Sequence, residues 1–309
     1  MSIVFETANS IEGGTDRAQD VLRAIAAQAA TLGRPVELIL VFDDLETDRT
    51  TLERIVAEIV PTPVSVTLIP QAGSRYYEQK NVGALRAQGD IVLFLDSDTM
   101  PEPECLTELV RPFNDPAVEV VTGVAYTEYV TTTDKAFALA WNFHLRSTDG
   151  PPFPTRHLKA SVVAFRRETF ERHPFPNDAR FRGQCNTLAQ QLRTRGVEIL
   201  VNPRARSGHP RPTGLGYMTR RALCEGHDRL LTTRQAGTTR HPFIHSLRKL
   251  AYDLKRSAAR VMRDHREVDL PAWQVPIALG VAAYYDGCCW LGWVITLVRP
   301  ALIRSHLRV

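Results

Sequence analysis

The sequence contains few cysteines, and they follow no pattern. Its five cysteines, Cys105, Cys185, Cys224, Cys288 and Cys289, form neither a CxxC pair nor a repeat. This excludes a disulfide framework and a zinc-finger type of site, and it favours a reducing cytoplasm. The first 14 residues have no basic start and only a short apolar run, so we expect no signal peptide. Internal repeats and low-complexity segments are also missing, which excludes a repeat architecture.

The charge of the chain is distributed unevenly. Residues 1–203 carry 20 Lys and Arg against 27 Asp and Glu, a net charge of −7, whereas residues 204–309 carry 18 against 7, a net charge of +11. A basic C-terminal part attached to an acidic body is typical of binding to an anionic partner, either a membrane surface or a nucleic acid. No nucleic-acid motif accompanies the charge, so we favour the membrane.

Apolar runs alternate with helical patterns through the first 125 residues. The runs VELILVFDD (36–44) and DIVLFLD (90–96) are examples of predicted strands. Nearly continuous Val, Ile and Leu runs of this kind are typical of a parallel sheet covered on both faces by helices. Ligands of such sheets bind beyond the carboxyl ends of the strands. The acidic residues that fall at such ends are Asp43, Asp44, Asp96 and Asp98.

Asp96-Ser97-Asp98 places two carboxylates directly after a buried strand. Burying an unpaired charge is costly, so we expect a positively charged group beside them. Mg²⁺ or Mn²⁺ is commonly held by one or two carboxylates together with substrate phosphates, so the pair fits a metal–diphosphate clamp. A phosphatase of the haloacid dehalogenase type is excluded because Met100 stands where that motif has Thr, and the spacing of a calcium loop is missing.

Several ordered segments resemble the inverting GT-A glycosyltransferases of family 2. They are SIVFETAN (2–9), ELILVFDD (37–44), the long stretch KNVGALRAQGDIVLFLDSDTMPEPECLTELV (80–110), ASVVAFRRETFERHPF (160–175) and RGVEILVNPRARSGH (195–209). The resemblance covers about residues 2–210. It implies a nucleotide-sugar donor and a Mg²⁺ or Mn²⁺ ion on the donor's diphosphate.

The resemblance also assigns roles to individual residues. Asp98 is the expected direct metal ligand, Asp96 the expected contact to ribose or metal, and His209 a further candidate ligand. Lys80 precedes the acidic strand on a helix, where it could face the diphosphate. The residues expected to bind the nucleotide sugar are therefore Thr7, Asn9, Asp43, Asp44, Lys80, Asp96 and Ser97, and those expected to bind the metal are Asp96, Asp98 and His209.

The chain departs from the family where the catalytic base is usual. The family pattern G-E-D-x-D-L is replaced here by Gly-Gln-Cys-Asn-Thr-Leu at residues 183–188, so each carboxylate has become neutral. Asp178, Asp149 or Glu128 could supply the base instead. Alternatively, the acceptor's nucleophile is already anionic, or the protein binds a nucleotide sugar without turning it over. Cys185 occupies the position of the usual base, and as a small packed residue it has no clear catalytic role.

Two further readings remain open. A nucleotidyltransferase would use a related sheet, but it normally has a Gly-rich basic loop after the first strand, and Glu12-Gly13-Gly14 with Arg17 matches this poorly. In the opening strand, Glu6 stands where the family has Pro. A catalytically inactive nucleotide-sugar-binding protein is the other alternative to a transferase.

The C-terminal part combines basic and apolar segments. Residues 275–298 form an apolar run interrupted by Asp286, and the preceding helical stretch is rich in Arg and Lys. Several family 2 enzymes end similarly and act on lipid-linked acceptors, so we predict peripheral association with an anionic membrane, at the inner face of the plasma membrane. A hairpin packed on the catalytic domain, or an oligomer formed through these helices, is the alternative.

The sequence thus predicts an α/β protein of the GT-A fold, with a Rossmann-like, mostly parallel sheet, followed by a helical extension. We expect a catalytic domain over residues 1–210, an extension over residues 211–309, and a loop within 130–160. The predicted function is metal-dependent transfer of a sugar from a nucleotide-diphosphate donor to an acceptor, lipid-linked or polysaccharide.

Overall fold

The structure is a computed structural model that describes residues 1–9, 15–61, 64–141, 143–178, 180–235, 237 and 241–307. Glu12-Gly13-Gly14, the segment compared with a nucleotidyltransferase loop, lies outside these residues. The chain divides into two compact units. Unit 1 comprises residues 1–126, 148–177 and 185–210, and unit 2 comprises residues 127–147, 178–184 and 211–309.

The first half of unit 1 is a parallel β-α arrangement. Its strands are β1 (Ser2–Glu6), β2 (Glu37–Phe42), β3 (Ser65–Pro70) and β4 (Ile91–Asp96), and its helices are α1 (Thr15–Ala30), α2 (Arg49–Ile59) and α3 (Tyr76–Arg86). The strands lie in the order β3-β2-β1-β4, and every neighbouring pair is parallel. Glu6 is in register with Asp96, so β1 and β4 end side by side. These strands were predicted from their short apolar runs. β1 and β4 are buried along their whole length and β2 nearly so, whereas β3 is partly exposed.

The second half of the sheet is antiparallel, which the apolar runs did not reveal. Its strands are β5 (Met100–Pro101), β6 (Val120–Thr127), β7 (Phe153–Thr155), β8 (Val162–Arg166) and β9 (Ile199–His209), with helices α4 (Cys105–Val110), α6 (Arg167–Arg172) and α7 (Gln184–Thr194). β8 pairs antiparallel with both β4 and β6. β9 continues to His209, because its last residues pair with β5.

A cluster of aromatic rings packs against Phe94 and holds β4 in place. The ring of Phe94 lies 4.7 Å from Phe170, 5.4 Å from Phe175 and 5.9 Å from Phe165, measured between centroids. These rings are buried, and aromatic pairs at such distances stabilise a core beyond the area that they bury. The position of Asp96, two residues after Phe94, is therefore set by packed side chains.

Unit 2 is helical. It contains α5 (Thr132–Ala140), α8 (Leu215–Gln235), α9 (Pro242–Asp264), α10 (Val275–Val298) and α11 (Pro300–Leu307). The stretch 130–160, in which a loop was expected, begins with the helix α5. This helix begins with a capping box in which Thr131 and Asp134 each accept a backbone N–H from the other, and its apolar residues pack against α8 and α10. That packing groups residues 127–147 with the C-terminal helices.

Two glycines let α8 and α10 approach closely. A Cβ at Gly226 would overlap the carbonyl oxygen of Cys289, and a Cβ at Gly292 would overlap that of Leu223. The backbones therefore touch where no side chain intervenes. Within the described residues, one helical segment, Ala272–Val298, is long and apolar enough to cross a membrane by length and composition. Less than half of its most apolar part is buried in the protein.

Candidate functional site

Asp96 lies at the end of β4 among three donors from two other segments, the helix α3 and the turn after β1. Its Oδ1 is 2.7 Å from the Lys80 ammonium and accepts a hydrogen bond of 2.6 Å from the Tyr76 hydroxyl. Its Oδ2 accepts one of 3.1 Å from the side-chain amide of Asn9. Lys80 is 0% exposed, so this ion pair is buried. The positive group expected beside the carboxylates is therefore the protein's own lysine.

Glu6 joins the two turns that follow β1 and β4. This carboxylate is fully buried, and it accepts backbone N–H bonds from Asn9, at 3.1 Å, and from Ser97, at 3.3 Å. It thereby accepts hydrogen bonds from two backbone N–H groups that lie beyond the ends of the parallel strands. The hydroxyl of Ser97 is buried and makes no hydrogen bond among the described residues. Its predicted contact to the nucleotide sugar stays a prediction.

The turn after β1 is held by α3. The side-chain oxygen of Gln79 accepts backbone N–H bonds from Thr7, at 3.0 Å, and from Ala8, at 3.2 Å. Gln79 is fully buried, and Thr7 is nearly so. The predicted nucleotide-binding residues Thr7 and Asn9 are thus close to Asp96, and they lie on one preorganised turn.

Asp98 and His209 lie together at the carboxyl edge of the sheet. Asp98 Oδ2 is 3.7 Å from His209 Nε2, and both residues are largely buried. Arg17 reaches both segments, since it donates to the carbonyl oxygens of Asp98, at 2.5 Å, and of Gly208, at 2.9 Å. The sequence places these residues more than 100 positions apart, and the pairing of β5 with β9 brings them together.

The Asp98–His209 pair fits a divalent cation. Two ligands that each bind one ion at about 2.1 Å lie at most about 4.2 Å apart, so a separation of 3.7 Å is compatible with a shared ion. No group of three or more His, Cys, Asp or Glu side chains suited to a metal occurs among the described residues. Mg²⁺ and Mn²⁺ often take few protein ligands and complete their shell with water and substrate phosphates. Asp96 suits this role less well, because both of its oxygens already bind protein donors.

Asp43 and Asp44 follow β2 at the same edge of the sheet. Asp43 Oδ1 accepts backbone N–H bonds from Leu45 and Gly73, both at 3.0 Å, and so connects the loops after β2 and β3. Asp44 is exposed. Of this pair, Asp44 is the carboxylate that solvent, and hence a ligand, reaches more easily.

A carboxylate from another segment lies beside the neutral motif at residues 183–188, since a Cβ at Gly183 would lie 3.3 Å from the Asp228 carboxylate. Cys185 is partly buried and packs against the apolar core of unit 1. Asp178, the first substitute base considered, binds the Arg180 guanidinium through both oxygens and also accepts the Arg180 backbone N–H. Asp149 is mostly exposed and lies 3.5 Å from Arg206. Both remain predictions, as does Glu128, which is half-buried after β6.

Sequence reasoning missed four residues that organise this site, namely Glu6, Arg17, Tyr76 and Gln79. One signal was available for the last two. Tyr76, Gln79, Lys80 and Gly83 recur at helical spacing on the face of α3 that packs on the sheet, where apolar residues are usual. Polar residues on such a buried face need partners at the strand ends.

Comparisons with known proteins agree with this architecture. Residues 3–173, more than half of the chain, match the family described as Glycosyl transferase family 2. Mannosyltransferase PcManGT from Pyrobaculum calidifontis, solved with GDP-Man and Mn²⁺, superimposes with a TM-score of 0.60 at 17% sequence identity, covering 97% of this chain and 87% of that chain. GalNAc-T7, solved with UDP, GalNAc and Mn²⁺, gives a TM-score of 0.48 at 14% identity, covering 72% of this chain and 47% of that chain.

No curated protein sequence matches this chain. The mixed sheet flanked by helices, the strand-end carboxylates and the family match agree with one another. The chain therefore belongs to glycosyl transferase family 2, has the GT-A fold and is a glycosyltransferase.

Proposed function

We propose that this glycosyltransferase uses a nucleotide-diphosphate sugar as donor and binds Mn²⁺ or Mg²⁺ through Asp98 and His209. The observation that carries the proposal is the 3.7 Å approach of these two side chains beside the ends of β1 and β4. PcManGT, which shares the fold, was solved with a nucleotide sugar and Mn²⁺. When bound, the cation would neutralise the negative charge that develops on the departing diphosphate.

The protein's own residues would position the donor. Thr7 and Asn9 lie on the turn held by Gln79 and Glu6, while Asp43 and Asp44 border the neighbouring strand end. We assign Lys80 and Asp96 to the support of this turn, because their charges satisfy each other inside the protein. Because these residues are already held in place, the site is preorganised, and less entropy is lost when donor and acceptor are aligned.

Calorimetry with nucleoside diphosphates and UDP-, GDP- and dTDP-sugars, with and without Mn²⁺, tests the donor site. We expect metal-dependent binding of one nucleotide, weakened at least 10-fold by Asp98→Asn and by His209→Gln. Asp20→Asn, which changes an exposed carboxylate on α1, is the matched control and should bind like the parent.

Two outcomes would contradict the proposal. If no nucleotide binds, the inactive-protein alternative is favoured. If Asp98→Asn binds and turns over donor like the parent, the metal is held elsewhere or is not used. Release of pyrophosphate from a nucleoside triphosphate in the presence of a sugar 1-phosphate would instead identify a nucleotidyltransferase.

We also propose that acceptor deprotonation does not use the family's usual carboxylate. The supporting observations are the neutral residues Gln184, Cys185 and Thr187 and the ion pair that occupies Asp178. Asp178→Asn and Asp149→Asn separate the remaining alternatives. A fall of 100-fold or more in kcat with unchanged donor affinity would identify the base, since a general base contributes about 10²–10⁴-fold.

The surface of unit 2 supports the proposal that this protein binds a membrane, because the helix α9 buries polar residues and exposes apolar ones. Its buried positions include Ser246, Asp253 and Ser257, and Asp253 binds Arg229 and Lys249. Val261 is buried too, but five of its apolar residues face solvent, with exposed fractions between 36% and 60%. They are Phe243, Ile244, Leu247, Leu254 and Met262. An apolar face of this size needs a partner.

Two further features indicate which partner this is. Arg248 and Lys255 are exposed on α9 next to the apolar residues. On α10, exposed apolar residues recur every seven positions at Ile277, Tyr284, Leu291 and Val298. Apolar stripes bordered by cations suit the boundary between acyl chains and anionic headgroups. We therefore propose peripheral binding to an anionic membrane, at the inner face of the plasma membrane.

Flotation with vesicles tests this partner. The full chain should float with vesicles of phosphatidylglycerol and phosphatidylcholine and less with phosphatidylcholine alone. Leu247→Asn with Leu254→Asn should reduce flotation at least fivefold. The matched control is Leu45→Asn, an exposed leucine of unit 1. Equal flotation of both variants would refute the assignment, and a dimer that the double variant abolishes would show that a second copy covers this face.

A further inference from the structure

A small polar cavity lies among the helices α8, α9 and α10 of unit 2. Its wall includes Arg229 of α8, Lys249 and Asp253 of α9, and Asp286, Trp290 and Trp293 of α10. The cavity is partly open to solvent, and its enclosed part has a volume of about 10 Å³. A space of this size holds one water molecule or one hydroxyl group. We call it the polar cavity.

Two polar atoms of residues in this wall have no hydrogen-bond partner among the described residues. They are Oδ2 of Asp286 and the indole nitrogen Nε1 of Trp293. Both side chains are buried, since each residue is only 3% exposed. The Trp293 ring is held by His245, whose ring stacks on it with the centroids 5.7 Å apart. Buried donors and acceptors are rarely left unpaired in folded proteins, so we expect a bound group that pairs with both atoms.

The charged groups around the polar cavity balance one another. Two cations, Arg229 and Lys249, and two carboxylates, Asp253 and Asp286, belong to its wall. Asp253 binds Arg229 at 2.8 Å and Lys249 at 2.5 Å. Burial raises the pKa of Asp286, and the Ser257 hydroxyl and nearby arginines oppose this only in part. A bound ion would disturb this balance, whereas a neutral group that donates to Asp286 would stabilise its carboxylate.

The two unpaired atoms define the chemistry of the group that fits. It must donate a hydrogen bond to the Asp286 carboxylate and accept one from the N–H of Trp293. An ammonium group only donates, and an ionised phosphate oxygen or a carbonyl oxygen only accepts, whereas a hydroxyl group does both. The size of the polar cavity and its two unpaired atoms therefore both favour a hydroxyl group.

The polar cavity opens beside the exposed apolar residues of α9. Lys249 and Trp290 of its wall are partly exposed. The Trp290 ring lies 6.5 Å from the ring of Phe243, measured between centroids, and Phe243 and Leu247 are both exposed. The indole N–H of Trp290 donates to the Ser246 hydroxyl at 3.1 Å, which fixes this edge of the cavity. A group that enters the cavity therefore passes the surface that we assign to the membrane.

We infer that the polar cavity binds a headgroup hydroxyl of an anionic phospholipid, as phosphatidylglycerol carries. This rests on the membrane binding proposed above. The exposed apolar residues of α9 contact the acyl chains, and the hydroxyl enters the cavity between Asp286 and Trp293. Attraction between basic residues and an anionic surface does not distinguish one anionic lipid from another. The cavity adds a preference for lipids that offer a hydroxyl group.

Flotation of the full chain with two kinds of vesicle separates hydroxyl recognition from attraction to charge. Phosphatidylcholine vesicles contain the same molar fraction of either phosphatidylglycerol or phosphatidic acid, whose headgroup is a phosphate without a further hydroxyl-bearing group. Phosphatidic acid is a phosphate monoester and carries at least as much negative charge. We expect about 5-fold more protein to float with phosphatidylglycerol, the order of one hydrogen bond to a charged group. Equal flotation, or more with phosphatidic acid, would overturn this inference alone, whereas no flotation with either lipid would overturn the membrane proposal as well.

Variants of the cavity wall test whether the preference comes from this site. Trp293→Phe keeps an aromatic ring beside His245 and removes the N–H, so flotation with phosphatidylglycerol should fall to the level seen with phosphatidic acid, which should not change. Trp273→Phe, at a tryptophan that is 73% exposed, is the control and should keep the preference. If Trp293→Phe does not fold, Asp286→Ala replaces it. Lower stability alone would reduce flotation with both lipids, so a preference that persists in the cavity variant would overturn the inference.

Discussion

The buried ion pair of Lys80 and Asp96 leads to a quantitative prediction. At a separation of 2.7 Å, two unit charges attract each other by about 6 kcal/mol at an effective dielectric constant of about 20. Desolvation opposes most of this gain, so the net worth of the intact pair is small. Removing one partner, however, leaves an uncompensated buried charge, which typically costs about 3–5 kcal/mol.

A double-mutant cycle therefore has a definite expected outcome. Lys80→Met and Asp96→Asn should each lower the free energy of unfolding of unit 1 by about 3–5 kcal/mol. The double variant should lose less than the sum, with a coupling energy of about 2 kcal/mol or more, because it buries no unpaired charge. Lys255→Met, which changes an exposed lysine on α9, is the control and should change stability by less than about 0.5 kcal/mol.

The assay must report on the correct unit. Tryptophan fluorescence follows unit 2, where all four tryptophans lie, so it is not suited to this pair. Hydrogen exchange of peptides from α3 and β4, measured over a urea series, gives the local free energy of opening instead. If the two single effects are additive to within about 0.5 kcal/mol, the pair is not coupled and the reasoning is refuted.

Three further predictions concern single positions. Gly226→Ala should destabilise unit 2 by about 1–3 kcal/mol or more, because the new Cβ meets the backbone of Cys289. Gly287→Ala on α10 is the control: its Cβ has open space, so it should be neutral or stabilising. Equal melting temperatures of the two variants would contradict this. Burial raises the pKa of Asp228 from 3.8 to about 6, against the opposing effect of its two backbone N–H bonds. The folded state therefore binds the proton more tightly, and this stabilisation is complete below about pH 3.8, is lost as the pH rises through about 6, and amounts to about 3 kcal/mol. Asp228→Asn should flatten this part of the pH profile in tryptophan-monitored unfolding, and an unchanged slope would contradict the assignment. Glu6→Gln should lower the free energy of unfolding by about 1–3 kcal/mol, because the amide has one acceptor oxygen for the two backbone N–H groups that Glu6 binds. Calorimetry should also show weaker binding of the nucleotide with Mn²⁺. Unchanged affinity would mean that Glu6 does not support the donor site.

Much of the fold follows from local patterns. Short apolar runs identified β1 to β4, and the helical periods between them identified α1 to α3. The bounds of α10 agree with the apolar run 275–298, which proline residues at 276 and 300 delimit. The capping box at Thr131 and Asp134 was also readable, although it was overlooked. These features depend on neighbours within a few residues, so a single sequence is sufficient.

The sequence by itself determined that carboxylates end two strands and that a basic, apolar segment follows the sheet. Only the tertiary structure decided which carboxylate receives Lys80, that β8 runs antiparallel to β4, and which face of α9 is buried. Amphipathic periodicity alone favours burial of the apolar residues of α9, whereas the structure buries Ser246, Asp253 and Ser257 beside Val261 and leaves five apolar residues exposed. The physical reason is that burial and ion pairing are properties of groups brought together from distant positions. Such groups come into contact with one another only when the chain is folded.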